Sequence, residues 1–244
     1  MPSYSPPIRP YTLSPSVADL VVVDGRVAYR HEAERRRKVA ICGAGGVRTM
    51  PWDDPTYECW AINNFWNTAR DSQGRLAASR WWEQHQIAPD DDGPHYGEEI
   101  QNANDMAWIR ECPVPLYTTE PFPENPRAVV WPVAYYAEKY RDYFTCTFAY
   151  QIATAIEEGF AEIKICGLEL LRGTLRETTV ESSCVTYWLG LAEGRGIRID
   201  IAPRADGSEQ WLLNHPFRYG HEYWEEADFV KGYCETLAGR RVAV

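Results

Sequence analysis

Lysine is scarce: of the 25 basic residues only Lys38, Lys139, Lys164 and Lys231 are lysines, and the remaining 21 are arginines. Arginine suits bidentate contacts to phosphate or carboxylate, and the same bias follows from a GC-rich genome. Long apolar runs are missing as well. No stretch approaches the roughly 20 residues that a membrane span requires, and the N-terminus is proline-rich without the apolar core of a secretory signal. A soluble, cytoplasmic protein with no membrane partner is the expectation. The seven cysteines, an odd number, show no C-x-x-C spacing, so reduced thiols packed as small hydrophobes are expected instead of a disulfide framework.

Several motifs are absent too. There is no G-x-x-x-x-G-K-[ST] and no G-x-S-x-G, which removes P-loop and α/β-hydrolase chemistry from the first rank. The five histidines are scattered without H-x-x-x-H or Cys/His ligand spacing, so no metal site is expected. Basic residues are outnumbered by 35 acidic ones, for a net charge of −10. Such a field opposes non-specific attraction to a nucleic-acid backbone.

What is present is a globular composition: 244 residues, 45% hydrophobic, with ten Trp and fifteen Tyr. A chain of this length buries roughly 70–75% of its unfolded surface and needs no staple. Three regions are expected: an N-terminal arm over 1–37, a core over 38–202, and an aromatic tail over 203–244 that packs on the core or on a second subunit. Within the arm, Leu20–Tyr29 reads as a hairpin about Asp24-Gly25. Arg35-Arg-Arg-Lys38 reads as a solvated lead-in to the first core strand.

Val39-Ala-Ile-Cys42 is a buried-strand pattern that runs into Gly43-Ala-Gly45-Gly46. Further candidate strands are Cys59–Ile62, Arg80–His85, Val114–Tyr117, Ala128–Val133, Glu162–Cys166 and Ile197–Ile201. Helical spacing is clearest over Thr147–Gly159 and Val180–Glu193. Alternating helix and strand with short links predicts an α/β protein: a Rossmann-like, doubly wound, mainly parallel sheet with helices on both faces.

In such a sheet, ligands bind beyond the carboxyl ends of the strands. Gly43, Gly45 and Gly46 fall there, either cradling a phosphate or making a tight turn. Asn63 and Asn64 suit a ribose hydroxyl or base edge, or a turn cap. His85 suits a general base with Glu83 orienting it, or a surface position. Gly167 and Glu169 follow a late strand.

Val39–Gly46 and Glu58–Trp66, with the block Thr145–Glu169, resemble the family 42 sialyltransferases and their relatives, which include flagellin glycosyltransferases and 6-hydroxymethylpterin pyrophosphokinases. Trp81–His85, Tyr187–Gly196 and Pro216–Gly220 are similar to Rossmann-like proteins of tailed bacteriophages. The resemblance spans about residues 38–220. It implies a nucleotide or nucleotide-sugar donor held by Gly43, Gly45, Gly46, Asn63, Asn64, Thr147, Gly167 and Glu169, and transfer of the sugar to a hydroxyl. Arg48 stands where the family continues Gly-Pro-Ser-Leu, and suits a diphosphate or the surface. The alternatives are a Mg²⁺-dependent pyrophosphokinase and a non-catalytic nucleotide binder. A modified DNA base as acceptor would draw on Trp52 or Trp66 for stacking.

Overall fold

The computed structural model describes residues 20–23, 26–29, 37–43, 48–63, 65–85, 103–168, 170, 177–203 and 213. Strands β1 (Leu20–Val23) and β2 (Arg26–Tyr29) form an antiparallel pair with Val23 opposite Arg26. That register leaves a two-residue loop at Asp24-Gly25, as the hairpin signal requires.

The remaining strands build a seven-stranded sheet: β3 (Lys38–Cys42), β4 (Tyr57–Ile62), β5 (Arg80–Glu83), β6 (Leu116–Thr118), β7 (Ala128–Val130), β8 (Glu162–Cys166) and β9 (Arg198–Ile201). Every neighbouring pair is parallel, in the spatial order β7-β6-β5-β4-β3-β8-β9. The chain therefore winds from β3 out to β7, returns, and completes the sheet on the other side of β3. The expected α/β Rossmann-like fold is present. Two strands are shorter than the apolar runs that announced them, because Val114 and Pro115 precede the ladder and Pro132 has no N–H to extend it.

Four α-helices are described: α1 (Ala103–Glu111), α2 (Val133–Lys139), α3 (Thr147–Glu157) and α4 (Ser182–Gly194). A single π-helical turn, Glu177–Glu181, leads into α4, so the helical stripe expected from Val180 starts in that turn. Side chains of successive strand residues point to opposite faces, and the clusters follow this alternation. Val39, Ile41, Trp60, Ile62, Trp82, Ile163 and Ile165 share one face and pack under Phe148, Ile152 and Ile156 of α3 and Val185, Trp188 and Leu189 of α4. On the opposite face Ala61, Trp81 and Leu116 meet Met106 and Ile109 of α1. Ala40, Cys42, Cys59 and Cys166 lie on that face against Met50. β3 is buried on both sides, as a central strand should be.

Helix α3 is held at its C-terminal end by two successive carboxylates. Glu158, just past its last turn, makes a bidentate pair with Arg80 of β5, with 2.7 Å from Arg80 Nη2 to Glu158 Oε2. Glu157 accepts from Tyr135 (2.7 Å), Lys139 (2.6 Å) and Tyr140 (2.5 Å) around α2. Because Glu158 lies by the amino ends of β4 and β5, the N-terminus of α3 lies at the carboxyl edge of the sheet. Gly159 (φ 70°) then turns the chain into β8.

Candidate functional site at the carboxyl edge

The winding reverses between β3 and β8, and in open parallel sheets ligands bind at such a reversal, beyond the carboxyl ends of the two strands and against the loops that leave them. Both loops begin with glycine. Cys42 and Cys166 are register partners, and the next residues are Gly43 and Gly167. The Gly43 N–H donates to the Cys166 carbonyl at 2.7 Å. A Cβ on Gly43 would stand 2.5 Å from the Gly167 carbonyl oxygen and 2.9 Å from its carbon. Both are backbone atoms that no rotamer change can move aside. Gly167 itself has φ 67°, the left-handed region that glycine enters at no steric cost. Gly45, Gly46 and Glu169 lie outside the described residues, and Arg48 is exposed.

One strand over, Asn63 follows β4 with φ 48°, a conformation that Asn tolerates better than most residues. Its backbone is fixed on both sides: the N–H donates to the Trp82 carbonyl at 3.1 Å, and its carbonyl accepts from Trp81 Nε1 at 3.0 Å. The side-chain Oδ1 is buried and has no hydrogen-bond partner among the described residues. A buried acceptor left in that state costs roughly 1–3 kcal/mol, so the position is ready for a donor. Asn64 lies outside the described residues.

Two strands over, Glu83 ends β5 and is only 2% exposed. Its Oε1 accepts the backbone N–H of His85 at 3.2 Å and sits 2.7 Å from His85 Nδ1. Against a carboxylate, which only accepts, the neutral tautomer of the ring carries its proton on Nδ1 and its lone pair on Nε2. The His85 side chain is 31% exposed. A buried carboxylate thus orients an imidazole whose other nitrogen is available at the rim.

Thr147, half-buried, opens α3 at the same edge. The preceding N-cap, Cys146, makes no side-chain cap hydrogen bond, its carbonyl accepts the Ala149 N–H at 3.1 Å, and the positive end of the helix dipole lies at that edge. Gly43, Gly167, Asn63, Glu83, His85 and Thr147 accordingly share one edge of the sheet. Strand spacing of about 4.8 Å puts the Glu83 strand roughly 10 Å from the glycine turns.

Trp52 and Trp66, the residues considered for stacking a base, are partly buried against apolar clusters. Structural packing is also the role of Trp60, Trp81, Trp82, Trp131 and Trp188, each at most 3% exposed. Gln151 is the residue that motif reading passed over. It lies one turn into α3, is fully buried, and neither its Nε2 nor its Oε1 has a partner among the described residues. The only sequence signal was a polar residue inside an apolar stripe.

No protein-family model matches the chain, and no curated protein matches it significantly. Among solved structures it is similar to the sialyltransferase CST-II in complex with a trisaccharide acceptor and CMP, at 10% identity and TM-score 0.36, over 67% of this chain and 80% of that one. It is likewise similar to sialyltransferase CstII from Campylobacter jejuni with cytidine-5'-monophosphate as substrate analogue, at 12% identity and TM-score 0.37, over 75% of this chain and 88% of that one. Likeness at this level does not place the chain in their family.

Proposed function

We propose that the protein is a nucleotide-dependent transferase of the glycosyltransferase type, which binds a nucleotide-activated sugar at the crevice between β3 and β8 and passes the sugar to a hydroxyl acceptor. The observation that carries this reading is the Glu83–His85 pair, set on the same edge as the abutting Gly43 and Gly167 turns. The Gly43 turn, lacking a Cβ, lets a phosphate approach the backbone closely, and the positive end of the α3 dipole favours its charge. Thr147 in the first turn of α3 adds a hydroxyl, and Asn63 adds an unpartnered amide oxygen for a ribose hydroxyl or base edge. Gly45, Gly46, Asn64 and Glu169 would complete the same rim from the adjoining loops, with Arg48 as a guanidinium for a diphosphate.

Catalysis then divides between two groups. His85 Nε2 takes the proton of the acceptor hydroxyl as the oxygen attacks the anomeric carbon, the bond from that carbon to the donor's phosphate oxygen breaks and the nucleotide leaves with the electron pair, and Glu83 stabilises the imidazolium that forms. The spacing of about 10 Å between the glycine turns and the β5 edge leaves room for the phosphates and the sugar to lie between donor anchor and base.

A thermal-shift series over nucleotides and nucleotide sugars tests the binding half. A true donor at 100 times its dissociation constant stabilises the native protein by about 2.7 kcal/mol. Chromatography of the stabilising donor after incubation with hydroxyl acceptors, with and without EDTA, tests the chemistry. Release of the free nucleotide in EDTA supports glycosyl transfer. Consumption of ATP that EDTA abolishes supports a Mg²⁺-dependent pyrophosphokinase, and a ligand bound but unchanged supports a sequestering protein.

A further inference from the structure

The bidentate pair between Arg80 and Glu158 fixes how α3 lies over β5. Phe148, Gln151, Ala155 and Glu158 fall on one stripe of the helix, and Arg80 and Trp82 on one face of the strand. From Glu158 back to Gln151 the helix covers about 10 Å toward the carboxyl edge. From Arg80, Trp82 lies about 7 Å and Gln84 about 13 Å along the chain in the same direction. Gln151 therefore stands level with the stretch between Trp82 and Gln84. Helical side chains lean toward the helix N-terminus, which here is toward the carboxyl edge.

Trp82 and Gln84 meet at Tyr117 of β6. The Tyr117 ring stacks on Trp82 with centroids 4.5 Å apart, and the Tyr117 carbonyl accepts from Gln84 Nε2 at 3.0 Å. At this level of the α3–β5 interface four buried polar atoms have no hydrogen-bond partner among the described residues: Trp82 Nε1, Gln84 Oε1, and Gln151 Nε2 and Oε1. Trp82 and Gln151 are each 0% exposed. A single orphaned amide is only a packing cost. An indole donor, an amide acceptor and a whole carboxamide left open together, beside the Glu83–His85 pair, make a matched set.

We propose that Trp82, Gln84 and Gln151 form a sugar subsite, which takes an uncharged acetamido or hydroxyl group of the sugar handled at the neighbouring Glu83–His85 pair. That the occupant is a sugar rests on the transferase reading above.

The chemistry of the set selects the group. Trp82 Nε1 only donates, Gln84 Oε1 only accepts, and the Gln151 amide does both. An acetamido group answers with a carbonyl for the N–H donors and an N–H for an amide oxygen, and a hydroxyl answers with two lone pairs and one O–H. A carboxylate has no proton to give the amide oxygens, and an ammonium has no lone pair for the indole. Either charge would also be costly to bury there, since Arg80, the cation on this face of β5, is committed to Glu158 and Glu58. Gln84 is the way in: it is half-buried, and its amide is held by the hydrogen bond to the Tyr117 carbonyl. A turn of Gln84 away from that carbonyl is the movement that admits the ligand.

Saturation-transfer NMR on the full-length protein, with free glucose, galactose, mannose and their 2-acetamido counterparts as probes, tests the subsite without a nucleotide. The expected result is binding of one or more of these sugars that weakens roughly tenfold in Gln151→Met and in Gln84→Met, the loss of about one hydrogen bond. Binding of the acetamido sugars alone assigns the acetamido group, and equal binding of the plain hexoses assigns a hydroxyl. Gln151→Met should at the same time unfold at a higher temperature than the parent, because the two orphaned atoms are gone. No sugar bound, binding undiminished in either variant, or a Gln151→Met protein that unfolds earlier as well as binding less would each overturn the proposal. Nucleotide stabilisation is read separately: a Gln151-dependent sugar signal in a protein that no nucleotide stabilises would sink the transferase reading and leave the subsite standing.

Discussion

The backbones of Gly43 and Gly167 touch: the space a methyl group on Gly43 would need is taken by the Gly167 carbonyl oxygen, 2.5 Å away. The contact joins the two strands on either side of the winding reversal. Neither glycine is replaceable, and for different reasons, since Gly43 lacks space and Gly167 (φ 67°) occupies a backbone region that side chains oppose.

Gly43→Ala should therefore lower stability by about 1–3 kcal/mol through overpacking, and Gly167→Ala by about 1–2 kcal/mol through its left-handed backbone. Urea unfolding of both variants measures this. A Gly43→Ala protein as stable as the parent would show that the two turns do not abut.

His85→Ala should lower the transfer rate by about 10²–10⁴-fold, and it should also lower the urea midpoint, because the buried Glu83 carboxylate loses its imidazole partner. Glu83→Gln keeps the shape but removes the orienting carboxylate, so the rate should fall while donor affinity in the thermal-shift assay holds. Normal turnover in both variants would remove the pair from the reaction.

Gln151 has two buried, unpartnered polar atoms, so Gln151→Met, which keeps the length and removes the polarity, should raise stability by roughly 1–2 kcal/mol. Calorimetry without ligand reads the effect. A loss of similar size would mean that the amide has a partner, such as an ordered water.

Glu157 supplies the acid sensitivity of the α2–α3 contact. Burial pushes its carboxyl up, but hydrogen bonds from Lys139, Tyr140 and Tyr135 outweigh this and leave it below the ordinary glutamate value. A depressed folded-state pKa contributes stability that is present above the unfolded value of about 4.3 and lost as pH falls through the folded one. Stability measured from pH 6 down to pH 3 should drop more steeply in the parent than in Glu157→Gln. Parallel curves would assign the acid loss to other carboxylates.

Removing Arg80 leaves Glu158 and Glu58 to share Arg37, with Glu158 losing its bidentate partner. Arg80→Met should destabilise the protein, and the double variant Arg80→Met/Glu158→Gln should recover part of the loss. A double variant no better than the single would show that the bidentate pair does not anchor α3.

Local pattern alone determined a good part of this protein. The apolar runs at Val39–Cys42, Cys59–Ile62 and Glu162–Cys166 are central parallel strands, the stripe after Thr147 is a helix closed at Gly159, and Asp24-Gly25 joins a hairpin. Each of these rests on a periodicity or a turn preference that acts within a few residues, so a window of sequence contains its cause. Helix α1 had no comparable signal, because Met106 and Ile109 become a buried face only once Trp81 and Leu116 supply a surface to meet them. The approach of Gly43 to Gly167 belongs to the tertiary structure in the same way. Asn63 and His85 were legible as polar residues at strand ends. That one has an orphaned oxygen and the other a buried carboxylate behind it was decided by which strands lie side by side, and strand order is a property of the whole sheet.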